Sequence, residues 1–331
     1  MSGPAGPGRG ERLSSDWAGV ARGGAARRLL WVGLAVLWSM AALLKLQPGM
    51  FTPAFFVNVM GPVTVDDQPP WLDHLLAAFD RLWVHHIVAG DLLLFAVEAL
   101  TAILIWSGPD RRSGRWGLWL SLGWGLLVWA LGEGFGGLFT GDASVAGELP
   151  GSALLYAALG ALLLVPEERW REGRMAEKLR TALGLFWVLA ALWQALPAFW
   201  NGPTLGEVFG DLSMNGHQVP LLAMVTNAML VASLRSTSLV NGILIVAMAL
   251  QGFMLLTGRA GTAWAILTGL WLAFSWVVVT GLGGLGTGTA TDPGTAFPLA
   301  LMAAAVWVGS GARAPSRKLS SPHSPPRTYD L

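Results

Sequence analysis

HHIVAGDLLLFAVEALTAILIW, residues 85–106, decides the fold. A bilayer core about 30 Å thick takes roughly 20 apolar residues in helical form. This run supplies them with two acids, Asp91 and Glu98, set inside it. Lipid offers backbone groups no hydrogen-bond partner, so a span must be a helix or a closed barrel strand. The run lacks the in–out alternation of a barrel strand. Seven further segments read the same way: 28–47, 115–132, 150–166, 180–198, 237–257, 262–280 and 295–310. The predicted class is all-α, a polytopic transmembrane helical protein of about eight spans.

Composition agrees. Of the 331 residues 53% are hydrophobic and 12% charged, against about 25% charged in a soluble domain. The length would hold two soluble domains, but the polar surface they require is missing. With no cysteine, disulfides, thiolate metal sites, iron–sulfur ligation and CxxC redox chemistry are excluded for this chain itself. The sequence requires no cofactor, and any redox role would need a bound one or a quinone. The first apolar stretch lacks a small-residue cleavage site and reads as a retained span, with a signal peptide as the alternative.

The net charge of +1 conceals a positional bias. All but Lys45, Arg81 and Arg235 of the 21 Lys and Arg lie before the first span or in alternate connections, around Arg27, Arg111, Arg174, Arg259 and Arg317. That asymmetry predicts a multi-pass protein of the cell membrane with both termini cytoplasmic. The opposite face is acidic, carrying Asp66, Asp67, Asp73, Asp80, Asp142, Glu148, Glu207, Asp211 and Asp292. The expected partner is the lipid bilayer, joined by another membrane or redox subunit; no nucleic acid is implied.

Five regions follow: a disordered arm 1–27, a first four-span unit 28–166, a charged linker 167–179, a second unit 180–310 and a Pro/Ser-rich disordered tail 311–331. In PPWLDHLLAAFDRLW (69–83), Trp71, Leu72, Leu75, Leu76, Phe79, Leu82 and Trp83 share one helical face, with Asp73, His74, Asp80 and Arg81 largely outside it. The spacing predicts an amphipathic interfacial helix or an extension of the next span. Residues 219–234 occupy the corresponding later place, as a re-entrant segment or a further span.

The two units read as tandem copies. GFGGLFTGDAS (134–144) aligns with GLGGLGTGTAT (281–291), Trp38 with Trp187, Trp124 with Trp271, Pro48 with Pro197, and HHIVAG (85–90) with TSLVNG (237–242). An even number of spans makes the copies parallel, related by a pseudo-two-fold along the membrane normal. On this alignment the second copy sets Gln194 against Lys45, Ile243 against Asp91 and Thr280 against Glu133. The ionisable set belongs to the first copy.

GEGFGGLFTG (132–141) and GLGGLGTG (281–288) both contain GxGxxG. A dinucleotide fold needs a strand before that motif, whereas a membrane helix precedes it here. Gly134, Gly136, Gly137, Gly281, Gly283 and Gly284 therefore read as structural turns that permit close helix approach. Ionisable groups inside spans are costly and mark candidate sites. Asp91 and Glu98 lie two turns apart on one face, and Lys45 and Glu133 sit at the outer ends of their spans. The four form a candidate ligand- or proton-binding set, with Lys45 paired to Asp91 and Glu98 left to take a proton; a purely structural ion pair fits equally. His74, His85, His86 and His217 all lie on the outer side, but adjacent histidines point about 100° apart on a helix, so they read as interfacial anchors and no metal site is assigned. The 18 tryptophans read as interface belts and packing.

RRLLWVGLAVLWSMAALLKLQPGMF (27–51), GEGFGG and DPGTAFPLALM (292–302) resemble bacterial membrane proteins of a broad DoxX-like kind, a group that includes the small membrane subunit of thiosulfate:quinone oxidoreductase. The resemblance implies a quinone- or redox-linked role and transfers no catalytic residue, which leaves enzyme status open. Three functions stand on the sequence: an accessory subunit of a quinone-linked redox system, a small-solute or proton-coupled transporter, and a membrane assembly scaffold.

Overall fold

The computed structural model describes residues 9–65, 68–214 and 220–310; residues 1–8, Asp66, Asp67, His217 and the tail 311–331 lie outside the described residues. Every regular element among the described residues is helical. The first half runs α1 (Arg9–Leu44), a 3₁₀ turn Pro48–Phe51, a short helical stretch from Pro53 through a π turn to Val65, α2 (Pro70–His85), α3 (Ile87–Trp106), α4 (Arg112–Leu131), a 3₁₀ turn Gly134–Gly137 and α5 (Ser152–Leu164). After a short helix Glu167–Arg171, the second half repeats the order. It comprises α6 (Arg174–Gln194), a 3₁₀ turn Pro197–Trp200, α7 (Gly202–Met214), α8 (Pro220–Arg235), α9 (Thr237–Leu256), α10 (Thr262–Phe274) extended by a π turn to Val279, a 3₁₀ turn Gly281–Gly284 and α11 (Ala296–Ser310).

Four helices are long and apolar enough to cross a membrane: Ala21–Leu44 within α1, α3, α9 and Thr262–Val279. They turn large apolar side chains outward. Leu43, Ile103, Leu239 and Leu270 are each 65–67% exposed, as suits surfaces solvated by lipid rather than water. The apolar helices α5 and α11 have 13 and 15 residues, which at 1.5 Å per residue reach only about 20 Å.

Three expectations about element boundaries change. Helix α1 starts at Arg9, so residues 9–27 extend the first span instead of forming a separate arm; Ala, Arg, Leu and Glu favour helix there despite the interspersed glycines. Helix α6 starts at Arg174 after Gly173, whose φ of 75° breaks the chain from Glu167–Arg171, so the predicted linker is mostly helical. Helix α2 is separate from α3, the two divided at His86 (φ −136°, ψ 31°). Its face is also rearranged: Leu72, Leu76 and Trp83 are buried and so is Asp80, while Trp71 and Leu82 are exposed.

The halves meet through α1, which packs against α3 in its own half and against α11 from the other. Close approach depends on small residues. A Cβ on Gly33 would strike the Leu301 side chain, and one on Gly252 would lie 3.0 Å from the Gly184 carbonyl of α6. Midway along α1, Arg27 donates twice to Asp110, at 2.7 Å each. The guanidinium holds that carboxyl below the usual carboxylate range.

Local geometry recurs between the halves. Pro70, His86 and Trp106 match Pro220, Ser236 and Leu256 as helix start, break and end, and Ser236 repeats the break with φ −139° and ψ 46°. This spacing sets Asn241, not Ile243, opposite Asp91, and Met248 opposite Glu98. The helix breaks decide the register, where short apolar sequence matches slide by a residue or two. The six motif glycines all have positive φ, from 51° to 72°. Between them Phe135 and Leu282 also adopt φ of 60° and 63°, at about 1–2 kcal/mol for a residue with a Cβ. In each turn a tryptophan indole, Trp129 or Trp276, donates to the carbonyl of Pro150 or Pro293 at 2.7 and 3.0 Å. A Cβ on Gly136 or Gly283 would lie 2.5 or 2.6 Å from those same carbonyls.

Gly136→Ala and Gly283→Ala should each lower stability by about 1–3 kcal/mol, through both strain and contact. Gly123→Ala on α4, where nothing lies within 4 Å of the added methyl, should be neutral or stabilising. Thermal unfolding in detergent compares the three, and equal melting temperatures for all of them would contradict this account.

Candidate functional site

Helix α1 ends at Leu44, and the chain then turns through Pro48, which cannot continue the helix. Lys45 lies on that last turn, its side chain 4% exposed. Its ammonium sits 3.3 Å from Glu98 Oε1 and donates to the carbonyl of Thr291 at 2.7 Å. Neighbouring Gln47 donates to the carbonyl of Ala290 at 3.0 Å. A cation from the first half is thus seated on the loop of the second.

This corrects the expected Lys45–Asp91 pair. The Thr291 carbonyl steers the ammonium toward Glu98, which carries one more methylene than Asp91. Asp91 remains within electrostatic reach of Lys45 and is fully buried. Neither of its carboxyl oxygens has a hydrogen-bond partner among the described residues, and Glu98 Oε2 also lacks one.

Glu133 lies across the cluster at the start of the glycine turn. Its Oε1 accepts from the backbone N–H of Ala153 at 3.0 Å, which caps the N-terminus of α5. Gly151, with φ 99°, clears the space: a Cβ there would strike Glu133 Oε2. Ser152 Oγ lies 2.8 Å from Glu133 Oε1 and 2.9 Å from Oδ2 of Asp292 in the second half. Asp292 also accepts from the backbone N–H of Gly294 at 2.7 Å and from the Thr291 hydroxyl at 3.2 Å.

Lys45, Asp91, Glu98 and Glu133 therefore line one region, and the structure adds three residues to them. Ser152 and Asp292 bridge the halves. Tyr156, buried and packed edge-on to Trp38 at 5.1 Å, lies within electrostatic reach of Asp292, Glu98 and Glu133. Its hydroxyl has no hydrogen-bond partner among the described residues.

The corresponding place in the second half is neutral. Gln194 donates to Asn241 Oδ1 at 2.9 Å and accepts from the Ser144 hydroxyl at 2.6 Å. Ser144 lies on the first half's loop as Thr291 lies on the second's, so each loop reaches across to the polar residue at the end of the opposite long helix.

Set against known protein families, characterised proteins and solved structures, the chain matches none. His74, His85 and His86 are exposed, and His85 Nδ1 contacts the Arg81 carbonyl at 2.6 Å. Among the described residues no group of three or more His, Cys, Asp or Glu side chains is arranged to hold a metal ion.

Removing one partner of a buried ion pair leaves the other charge uncompensated, at about 3–5 kcal/mol. Lys45→Met should destabilise by roughly that amount, and adding Glu98→Gln should restore much of the loss. Denaturation of the purified protein reads both, and a double variant no more stable than Lys45→Met alone would refute the pairing.

Proposed function

We propose that this chain is a multi-pass protein of the cell membrane, with eight spans in two parallel four-span copies and both termini cytoplasmic, and that its buried carboxylates take up and release protons to move a small solute. The carrying observation is the imbalance around Lys45: one buried cation faces Asp91 and Glu98, with Glu133 and Asp292 beyond. A structural ion pair needs one carboxylate. Further ionised groups in a low-dielectric interior cost several kcal/mol each unless they bind protons, which makes the charge of this region responsive to proton supply. The recurrent helix breaks, glycine turns and tryptophan-to-carbonyl bonds support duplication, and the loops that reach across support a site between the copies.

Reconstitution tests the transport reading. Proteoliposomes loaded with a pH-sensitive dye and challenged with a panel of small solutes should show solute-dependent proton movement, reduced at least tenfold in Asp91→Asn and Glu98→Gln. Full flux in both variants, or none with any solute in the wild type, would sink it. The topology is tested on intact cells, because the chain has no cysteine of its own. Ser113→Cys should resist an impermeant maleimide that labels Asn201→Cys, and labelling of both would refute the orientation.

A second reading, an accessory subunit of a quinone-linked redox system, draws on one separate observation. An apolar groove of about 270 Å³, lined by Met229, Val240, Ile243, Leu267, Trp271 and Phe274, opens between α8, α9 and α10. Its character suits an isoprenoid tail, in keeping with the DoxX-like likeness. Quinone retained through mild-detergent purification would favour this reading over transport.

A further inference from the structure

We infer that Glu133 and Asp292 hold a single proton between them, shared through Ser152, and that the carboxyl on which it rests sets the electrostatic surroundings of the Lys45–Glu98 pair. The inference deepens the proton-binding reading above, and it starts from hydrogen-bond chemistry. A serine hydroxyl has one proton to donate, yet Ser152 Oγ lies at hydrogen-bonding distance from two carboxyl oxygens, 2.8 Å from Glu133 Oε1 and 2.9 Å from Asp292 Oδ2. Two ionised carboxylates would leave one of those contacts as oxygen against oxygen with no proton. One carboxyl must therefore donate to the hydroxyl while the hydroxyl donates to the other.

The remaining donors indicate where the proton rests. Both oxygens of Asp292 have donors, the N–H of Gly294 on one and the hydroxyls of Thr291 and Ser152 on the other. Glu133 has the N–H of Ala153 on Oε1, while its buried Oε2 has no partner among the described residues. Asp292 is the better-solvated anion and Glu133 the neutral acid. Transfer is balanced: Glu133 Oε1 gives its proton to Ser152 Oγ as the serine's own proton moves to Asp292 Oδ2. No redox partner is involved, and one carboxylate replaces the other.

A second feature shows which groups feel the shared proton. Tyr156, 2% exposed, and Glu98, 4% exposed, each present a buried oxygen without a hydrogen-bond partner among the described residues, and both interact electrostatically with Asp292. They are the buried groups whose electrostatic surroundings change when the proton moves between Glu133 and Asp292. Thr291, its chain neighbour, holds Lys45 through its carbonyl. The charged and titratable groups facing the bridge are Glu98, Lys45 and Tyr156 on the inner side and Glu148 on the outer.

Infrared difference spectroscopy of the purified full-length protein tests this without a transport assay. Wild type at neutral pH should show a protonated-carboxyl component that is lost in both Glu133→Gln and Asp292→Asn, over any contribution from Asp91 and Glu98, because removing either charge lets the other group ionise. Ser152→Ala should keep the band and shift it, since the repulsion that retains the proton persists while the bridging hydrogen bond is gone. Both amide variants preserve side-chain shape, and an unchanged melting temperature confirms their folding. Protonated-carboxyl absorption equal to wild type in either amide variant overturns the shared proton, and an unshifted component in Ser152→Ala overturns the bridge. Failed flux with these band changes intact would remove the transport reading alone.

Discussion

Lys45 is held by the two halves of the molecule at once, its ammonium on a carboxylate of α3 and on a backbone carbonyl of the second half's loop. A buried ammonium persists only when it is both paired and hydrogen-bonded, and here neither half supplies everything. Much else follows from that seat. The 3₁₀ turn after α1 fixes where the lysine leaves the helix, and the loop 289–292 must run close enough to lend it a carbonyl. That path in turn brings Asp292 to Ser152. The first half's loop makes the reciprocal reach, through Ser144 to Gln194.

The glycine turns make those reaches available. Each reverses the chain at a helix end through consecutive left-handed residues, anchored by an indole bonded to the carbonyl before the next glycine. Phe135, at its unfavourable φ, sets its ring edge-to-face on Trp129 at 4.9 Å and packs it against Phe139 and Trp71. Leu282 takes the same backbone shape without such aromatic contacts. The turn is therefore imposed by the glycines and the indole bond, with aromatic packing an addition of the first half.

Apolar runs such as 87–106 and 237–256 were legible because lipid solvation sets their length and composition directly. The glycine turns were legible because only glycine tolerates the left-handed region freely. The start of α1 was not, since a Gly- and Arg-rich stretch carries a weak helix signal that continuity with the span overrides. Which carboxylate pairs with Lys45 was not legible either. Asp91 and Glu98 share a helical face, and the choice was made by a carbonyl nearly 250 residues away in the chain. Ser152 and Tyr156 are ordinary residues in an apolar helix, and nothing local marks them. Asp292 left a faint trace: in DPG it heads a helix, as Ser152 does after its own glycine, so both fall at the same end of the bundle. The alignment of the two halves slid by a residue or two until the breaks at His86 and Ser236 gave it a reference.

The neutrality of the second half has an electrical consequence. Gln194 and Asn241 carry no charge, whereas the matching Lys45 and Asp91 do. A transmembrane voltage acts on charge at about 2.3 kcal/mol per elementary charge per 100 mV across the full membrane. The field therefore exerts its force on the polar centre of the first half and leaves that of the second untouched. Any rearrangement that displaces the ammonium or a bound proton along the membrane normal is driven by the potential against a neutral half that does not respond to it, so the molecule is asymmetric toward voltage although the same helix breaks and glycine turns recur in both halves.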